Sequence, residues 1–279
     1  MTTVPAASTP AVTFTSGGET LAGVLHLPAG PGPHPAVVLL HGFPGNERNF
    51  DLAQALRRAG YAALVFHYRG SWGMGGDYAF GHVLQDAAAV VAAVRAEPFA
   101  ATHRLDPARV AVAGHSLGGF AALMTAAADP AVAATVSVAG FDVGTAADLC
   151  ADPVTRAECV EALGSDLLPL RGTSGEALVS EMVAAGPAWR LAGLARAFED
   201  RPVLLVGTGR DPVTPQEVHH APLVRAYGQH PRIRLEHLVF DTDHALSDHR
   251  VELADTLIGF LGRTLGGPAA SQQGGQVAQ

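Results

Sequence analysis

The chain has 279 residues, 48% hydrophobic and 16% charged, which suits one large α/β domain or two small ones with a sizeable core. Net charge is −8, lysine is absent, and the 18 basic residues are scattered arginines, which argues against nucleic acid as a partner. No apolar run reaches the roughly 18 residues of a membrane span, and the opening "MTTVPAASTPAVTF" has neither the basic nor the apolar region of a signal peptide. A cytoplasmic protein without a membrane partner is therefore expected. Cys150 and Cys159 lie in one segment; reduced structural thiols are the expectation there, with a local disulfide left open.

Residues 11–27, "AVTFTSGGETLAGVLHL", read as a hairpin turning at Gly17-Gly18. A proline- and glycine-rich loop leads to an apolar run, Ala36 to Leu40. Strands and helices then alternate: helix "ERNFDLAQALRRAG" stopping at Gly60, strand "YAALVFHY", helix Val83 to Ala96, strand Val110 to Ala113, a helix to Ala128, and strand "AVAATVSVAG". Core strands that are continuously apolar point to a parallel sheet covered by helices on both faces, with the hairpin adding antiparallel strands at one edge. The rhythm breaks over 141–200, a helix-like stretch expected to sit as a small cap over the carboxyl edge of the sheet. It resumes with "RPVLLVGTGRDP", "IRLEHLVF" and a final helix, Arg250 to Leu265. The expected division is a catalytic domain over 11–265 with the cap inserted at 141–200, followed by a disordered tail at 266–279.

The chemistry concentrates in "RVAVAGHSLGGFAALMTAAADP". A lone G-x-S-x-G says little, since this composition produces about 0.13 matches by chance. Here, however, Gly114-His115-Ser116-Leu117-Gly118 falls directly between a buried strand and a helix. A serine on such a tight turn is held out at the sheet's carboxyl edge, beside the amides of a helix N-terminus. The bland alternative is a glycine-rich helix start with a capping serine.

With its strand–turn–helix context, the motif resembles the nucleophile elbow of the α/β-hydrolases. That family's order, nucleophile then acid then histidine, implies an acid after a later strand and a histidine after the last one. Asp211, in the loop after "VLLVGTG", is the acid candidate, with Asp142 as competitor. Glu199 and Asp200 lie at the wrong end of the strand. His244, in "FDTDHALSDHR", is the histidine candidate, ahead of His249. A serine hydroxyl is a poor nucleophile at neutral pH and needs an imidazole to take its proton and a carboxylate to orient that imidazole. His41 and His115 flank site loops and are expected to shape them by hydrogen bonding. The resemblance also implies an oxyanion hole formed by the backbone N–H of Leu117 and that of Phe43 in "HGFPGNERNF", because Pro44 has no N–H. The same loop lacks a phosphate-binding pattern, and no metal or other cofactor is expected.

The small cap and the loop "HYRGSWGMGGDY" resemble small-lid bacterial esterases, feruloyl and cinnamoyl esterases among them, and prolyl-oligopeptidase-type catalytic domains. Trp72 and Trp189 are the candidate substrate-binding residues. Trp72 has the alternative of packing its loop, and Leu163, Leu167, Leu168 and Leu170 that of forming the cap's own core. The expected function is a serine carboxylesterase acting on small to medium acyl or aryl esters, its partner a small-molecule ester, with a homodimer left open. A peptidase or amidase of the prolyl-oligopeptidase type is the alternative, weakened by the absence of a propeller domain from these 279 residues. A non-catalytic ligand-binding relative is a third.

Overall fold

The computed structural model describes residues 4–266, so the expected tail lies outside the described residues from position 267 on. The strands are β1 (Ala11–Ser16), β2 (Glu19–His26), β3 (His34–Leu40), β4 (Ala62–Phe66), β5 (Leu105–His115), β6 (Ala134–Val138), β7 (Pro202–Thr208) and β8 (Arg234–Phe240). The helices are α1 (Phe50–Arg58), α2 (Phe80–Arg95), α3 (Glu97–Thr102), α4 (Leu117–Ala128), α5 (Val143–Leu149), α6 (Pro153–Ser165), α7 (Gly175–Ala185), α8 (Gln216–His219), α9 (Ala221–Gly228) and α10 (Arg250–Thr264). All eight strands join one sheet in the order β1-β2-β4-β3-β5-β6-β7-β8. Pairing is antiparallel from β1 to β2 and from β2 to β4, and parallel from β4 through β3 to β8.

Side chains alternate across this sheet and feed two separate cores. Val38 and Leu40 of β3 and Val110 and Val112 of β5 join one core, with α2, α4 and the stretch 143–198 above them. Val37, Leu39, Ala111 and Ala113 point the other way, onto Leu52 and Leu56 of α1 and Leu253, Leu257 and Phe260 of α10. Covering on both faces is why β3, β4, β6 and β7 are buried along their whole length. The two edge strands, β1 and β8, instead show alternation, β1 strictly. The mostly parallel sheet with its antiparallel edge is the arrangement expected from the sequence.

Element boundaries differ where tertiary groups decide them. α1 starts at Phe50 rather than Glu47, because Asn49 takes a left-handed conformation at φ 58° and the Glu47 carboxylate accepts its N–H at 2.6 Å. α2 starts at Phe80 rather than Val83. Its first amides are capped from a hundred residues away: the Glu181 carboxylate of α7 accepts the N–H of Phe80 and of Gly81, each at 2.8 Å. The short α3 has too few residues to show a period. Between β6 and β7 lie α5, α6, α7 and two 3-10 stretches, Gly186–Trp189 and Leu191–Phe198. The two cysteines there are free thiols.

Glu181 thus ties the helical stretch to the sheet-covering layer. Glu181→Ala is expected to destabilise the fold by about 1–3 kcal/mol, since two amides lose a charged acceptor. A Gln substitution should recover part of this. Urea unfolding would measure both, and an unchanged midpoint in the Ala variant would show that water replaces the carboxylate at no cost.

Candidate active site

Ser116 occupies the turn between β5 and α4 with φ 59° and ψ −122°, a conformation that side chains rarely adopt. Four backbone hydrogen bonds hold it there. Its N–H donates to the Val138 carbonyl at 2.9 Å, and its own carbonyl accepts from Gly119 (2.9 Å), Phe120 (3.2 Å) and Phe141 (3.1 Å). The flanking glycines are a steric necessity. A β-carbon on Gly114 would stand 1.9 Å from the Gly118 carbonyl oxygen, and one on Gly118 would stand 2.0 Å from the Leu40 carbonyl oxygen. Helix α4 therefore lies in backbone contact with the sheet.

Asp211 follows β7 and its carboxylate is wholly buried. Oδ2 accepts from Nδ1 of His244 at 2.7 Å, from the Thr208 hydroxyl at 2.7 Å and from the Thr214 hydroxyl at 2.5 Å. Oδ1 accepts the N–H groups of Val213 (2.8 Å) and Thr214 (3.0 Å). Burial alone would raise the Asp211 pKa, but the bonds from His244, Thr208 and Thr214 outweigh it and hold the carboxyl well below the usual range. The carboxylate is therefore ionised, and His244 carries its proton on Nδ1, leaving Nε2 as an acceptor.

Asp142, the competing acid, is otherwise engaged. It caps α5, accepting the Thr145 N–H at 3.1 Å, and also accepts the Leu191 N–H at 3.4 Å. His249 sits at the start of α10 against Asp248 and Phe240. His115 places its ring 4.8 Å from that of His244 and bonds the His244 carbonyl through Nε2 at 2.7 Å. On the other side, His41 bonds the Gly42 carbonyl through Nδ1 at 2.9 Å. Gly42 itself lies against the nucleophile candidate: a β-carbon there would be 3.0 Å from the Ser116 β-carbon. The backbone N–H groups of Phe43 and of Leu117 have no acceptor among the described residues.

The two tryptophans go to different places. Trp72 lies under the Arg48 guanidinium, 4.3 Å away, and beside His67, so its contacts hold the 41–49 loop. Trp189 packs edge-on against Phe120 of α4, 5.6 Å away. Leu163, Leu167 and Leu170 pack onto the core beneath, whereas Leu168 is exposed. No group of three His, Cys, Asp or Glu side chains among the described residues is arranged to hold a metal. Nor is any helix there long and apolar enough to cross a membrane.

Several contributors were not picked out from the sequence. Thr208 and Thr214 stand three residues either side of Asp211, and the Asp-x-x-Thr spacing of an Asx-type turn was a usable signal. Arg250 carried none. It pairs with Asp51, bonds the Asn49 side chain at 3.0 Å and donates to the Ala245 carbonyl at 3.2 Å, so it joins the His244 loop to the end of the 41–49 loop.

With this geometry in view, the chain belongs to the alpha/beta hydrolase family, whose model it matches over residues 37–256. It is 32% identical over 125 residues to 2,6-dihydropseudooxynicotine hydrolase of Paenarthrobacter nicotinovorans (42% of this chain, 31% of that protein). It is also 32% identical over 150 residues to the quorum-quenching protein AidA of Acinetobacter baumannii (52% and 48%). These matches therefore span less than half the length of either relative. Among solved structures, the esterase Pf2001 of Pyrococcus furiosus shares the fold at 20% identity and a TM-score of 0.69, covering 93% of this chain and 92% of that one. Est1E of Butyrivibrio proteoclasticus does so at 20% identity and 0.67, covering 91% and 98%.

Three buried histidines around the site make a prediction about stability. Burial pushes His41 down to about 3 and His115 and His219 down to about 4. A histidine kept neutral in the fold contributes stability that is complete above the unfolded value of about 6.5 and is lost as pH falls toward the folded value. These three rings alone should therefore account for about one and a half protons taken up on unfolding at pH 6.5, rising to nearly three at pH 5. Urea midpoints across that window would fall with the corresponding slope, and a flat profile would mean that the rings are already charged or hydrated.

Proposed function

We propose that the protein is a serine carboxylesterase in which Ser116, His244 and Asp211 form the catalytic triad. The observation that carries this reading is the 2.7 Å bond from His244 Nδ1 to a buried carboxylate, at the sheet edge where Ser116 is held out on its strained turn. His244 Nε2 takes the hydroxyl proton as Ser116 Oγ attacks the ester carbonyl. The N–H groups of Phe43 and Leu117 receive the negative charge that develops on the carbonyl oxygen. Collapse of the tetrahedral intermediate breaks the bond to the alcohol, which leaves with the proton from His244, and an acyl-serine remains. Water, deprotonated by the same imidazole, then attacks the acyl carbon and releases the acid, returning the proton to Ser116.

The ester preference is supported by the likeness to two esterases, one of them, Est1E, also solved with ferulic acid bound. In this reading 141–200 is the cap, and Trp189, packed edge-on against Phe120 of the helix that follows Ser116, lines the substrate pocket. Trp72 acts through the oxyanion loop on which it packs.

Hydrolysis of p-nitrophenyl acetate, butyrate and octanoate should be measurable and should be abolished in Ser116→Ala, with the chain-length profile sizing the acyl pocket. Folded protein inactive on all three would defeat the esterase reading. Asp211→Asn should lower kcat by about 10³–10⁴-fold, because the imidazole loses the acceptor that fixes its tautomer. A drop of less than tenfold would remove Asp211 from the triad.

A further inference from the structure

The triad reading leaves one buried imidazole at the site without a task. His219, in α8, is 6% exposed and lies 4.9 Å from the Phe141 ring, at 31°. Phe141 in turn donates its N–H to the carbonyl of Ser116. Nδ1 of His219 accepts the backbone N–H of Asp142 at 3.0 Å. An amide can only donate, so Nδ1 is bare and the ring's proton sits on Nε2. Among the described residues, that Nε2–H bonds no protein group, and it is not among the fully enclosed side-chain atoms. Unlike Nε2 of His41 and of His220, it is absent from the buried polar atoms that lack a partner. The ring also lies within the fields of Asp211 and His244. A neutral hydrogen-bond donor of fixed tautomer, not fully enclosed, therefore sits beside the candidate triad.

Its side of the site decides what it meets. The oxyanion donor Phe43 comes from the loop after β3, on one side of Ser116. Asp142, His219, Asp211 and His244 come from the loops after β6, β7 and β8, on the other. The departing alcohol must meet His244 to receive its proton, so the alcohol faces His219.

We propose that His219 is a specificity residue whose Nε2–H donates a hydrogen bond to an oxygen on the alcohol part of the substrate, near the scissile bond. The preferred substrates are then esters whose alcohol carries an ether, hydroxyl or carbonyl oxygen a few bonds from the ester link. Water satisfies the donor in the free enzyme. An all-carbon alcohol displaces that water and leaves the N–H bare, which penalises binding in the transition state as well as the ground state. The backbone amide of Asp142 gives the selection its permanence by locking the tautomer.

The proposal rests on the esterase reading, and the experiment separates the two. n-Butyl butyrate and 2-methoxyethyl butyrate have the same length and differ by one ether oxygen. With kcat/KM for each divided by its rate of alkaline hydrolysis, the wild type should favour the methoxyethyl ester by about tenfold or more. In His219→Asn the amide oxygen can still accept the Asp142 N–H, while the Nε2 donor is gone, so the ratio should fall to near one. The readout is this ratio, which a merely structural role for His219 would not move. A wild-type ratio near one overturns the proposal whether or not the variant folds, and so does an unchanged ratio in a folded variant. Loss of Ser116-dependent turnover of p-nitrophenyl butyrate in the wild type would instead overturn the esterase reading itself.

Discussion

Helix α4 can approach the sheet to within backbone contact only because Gly114 and Gly118 have no β-carbon, and the candidate site takes its shape from that approach. The contact fixes the start of the helix under the end of β3 and forces the connecting residue, Ser116, to φ 59°. A strained residue of this kind costs on the order of 1–3 kcal/mol and persists only where its surroundings overdetermine it. Here four backbone bonds and the burial of most of α4 do so. One consequence is that the N–H of Leu117 is left at the helix N-terminus with no acceptor among the described residues. The candidate nucleophile and one candidate oxyanion donor thus arise from a single packing constraint.

The histidines around this turn show how the same low-dielectric surroundings yield different chemistry. His41, His115 and His219 are buried beside backbone groups, and burial keeps them neutral. Only His244 among these four bonds a carboxylate, and that carboxylate is itself held ionised by two threonine hydroxyls and two amides. Of these four imidazoles, it alone bonds a partner for the positive charge that the proposed proton transfer would create. His115 and His41 fix loop positions, the first on the carbonyl of His244 and the second on that of Gly42.

The parts of this design readable from sequence are those written in local pattern. The apolar runs gave the parallel strands because burial on both faces removes alternation, and Gly114, Ser116 and Gly118 marked the turn because a close approach requires small residues at fixed spacing. Asp211 and His244 were picked out by the order that the resemblance to the α/β-hydrolases implies, an acid after a later strand and a histidine after the last. What escaped was long-range. The start of α2 depends on Glu181, and the anchoring of the His244 loop depends on Arg250 reaching Asp51. His219 looked like any histidine in a helix, since its tautomer is set by the amide of Asp142, which only the folded chain brings near. Trp72 was legible as a residue of the rim loop, but the guanidinium that covers its ring was not.

Asp142 shows why residue type and strand position together do not assign the acid. It stands just past β6, at the sheet's carboxyl edge, and burial raises its pKa while Asp211 is held low. The difference lies in the donors each carboxylate receives. Asp142 accepts an amide from the first helix of the 141–200 stretch and another from its last 3-10 segment, through Thr145 and Leu191, so it closes that stretch into a loop at its root. Asp211 accepts amides only from its own turn, through one oxygen, and its other oxygen meets side chains, His244 among them. A carboxylate engaged in closing a loop orients backbone, whereas one folded onto its own turn keeps an oxygen for an imidazole. The same closure sets the amide of Asp142 against Nδ1 of His219, so the competing acid candidate decides which nitrogen of a neighbouring ring carries the proton.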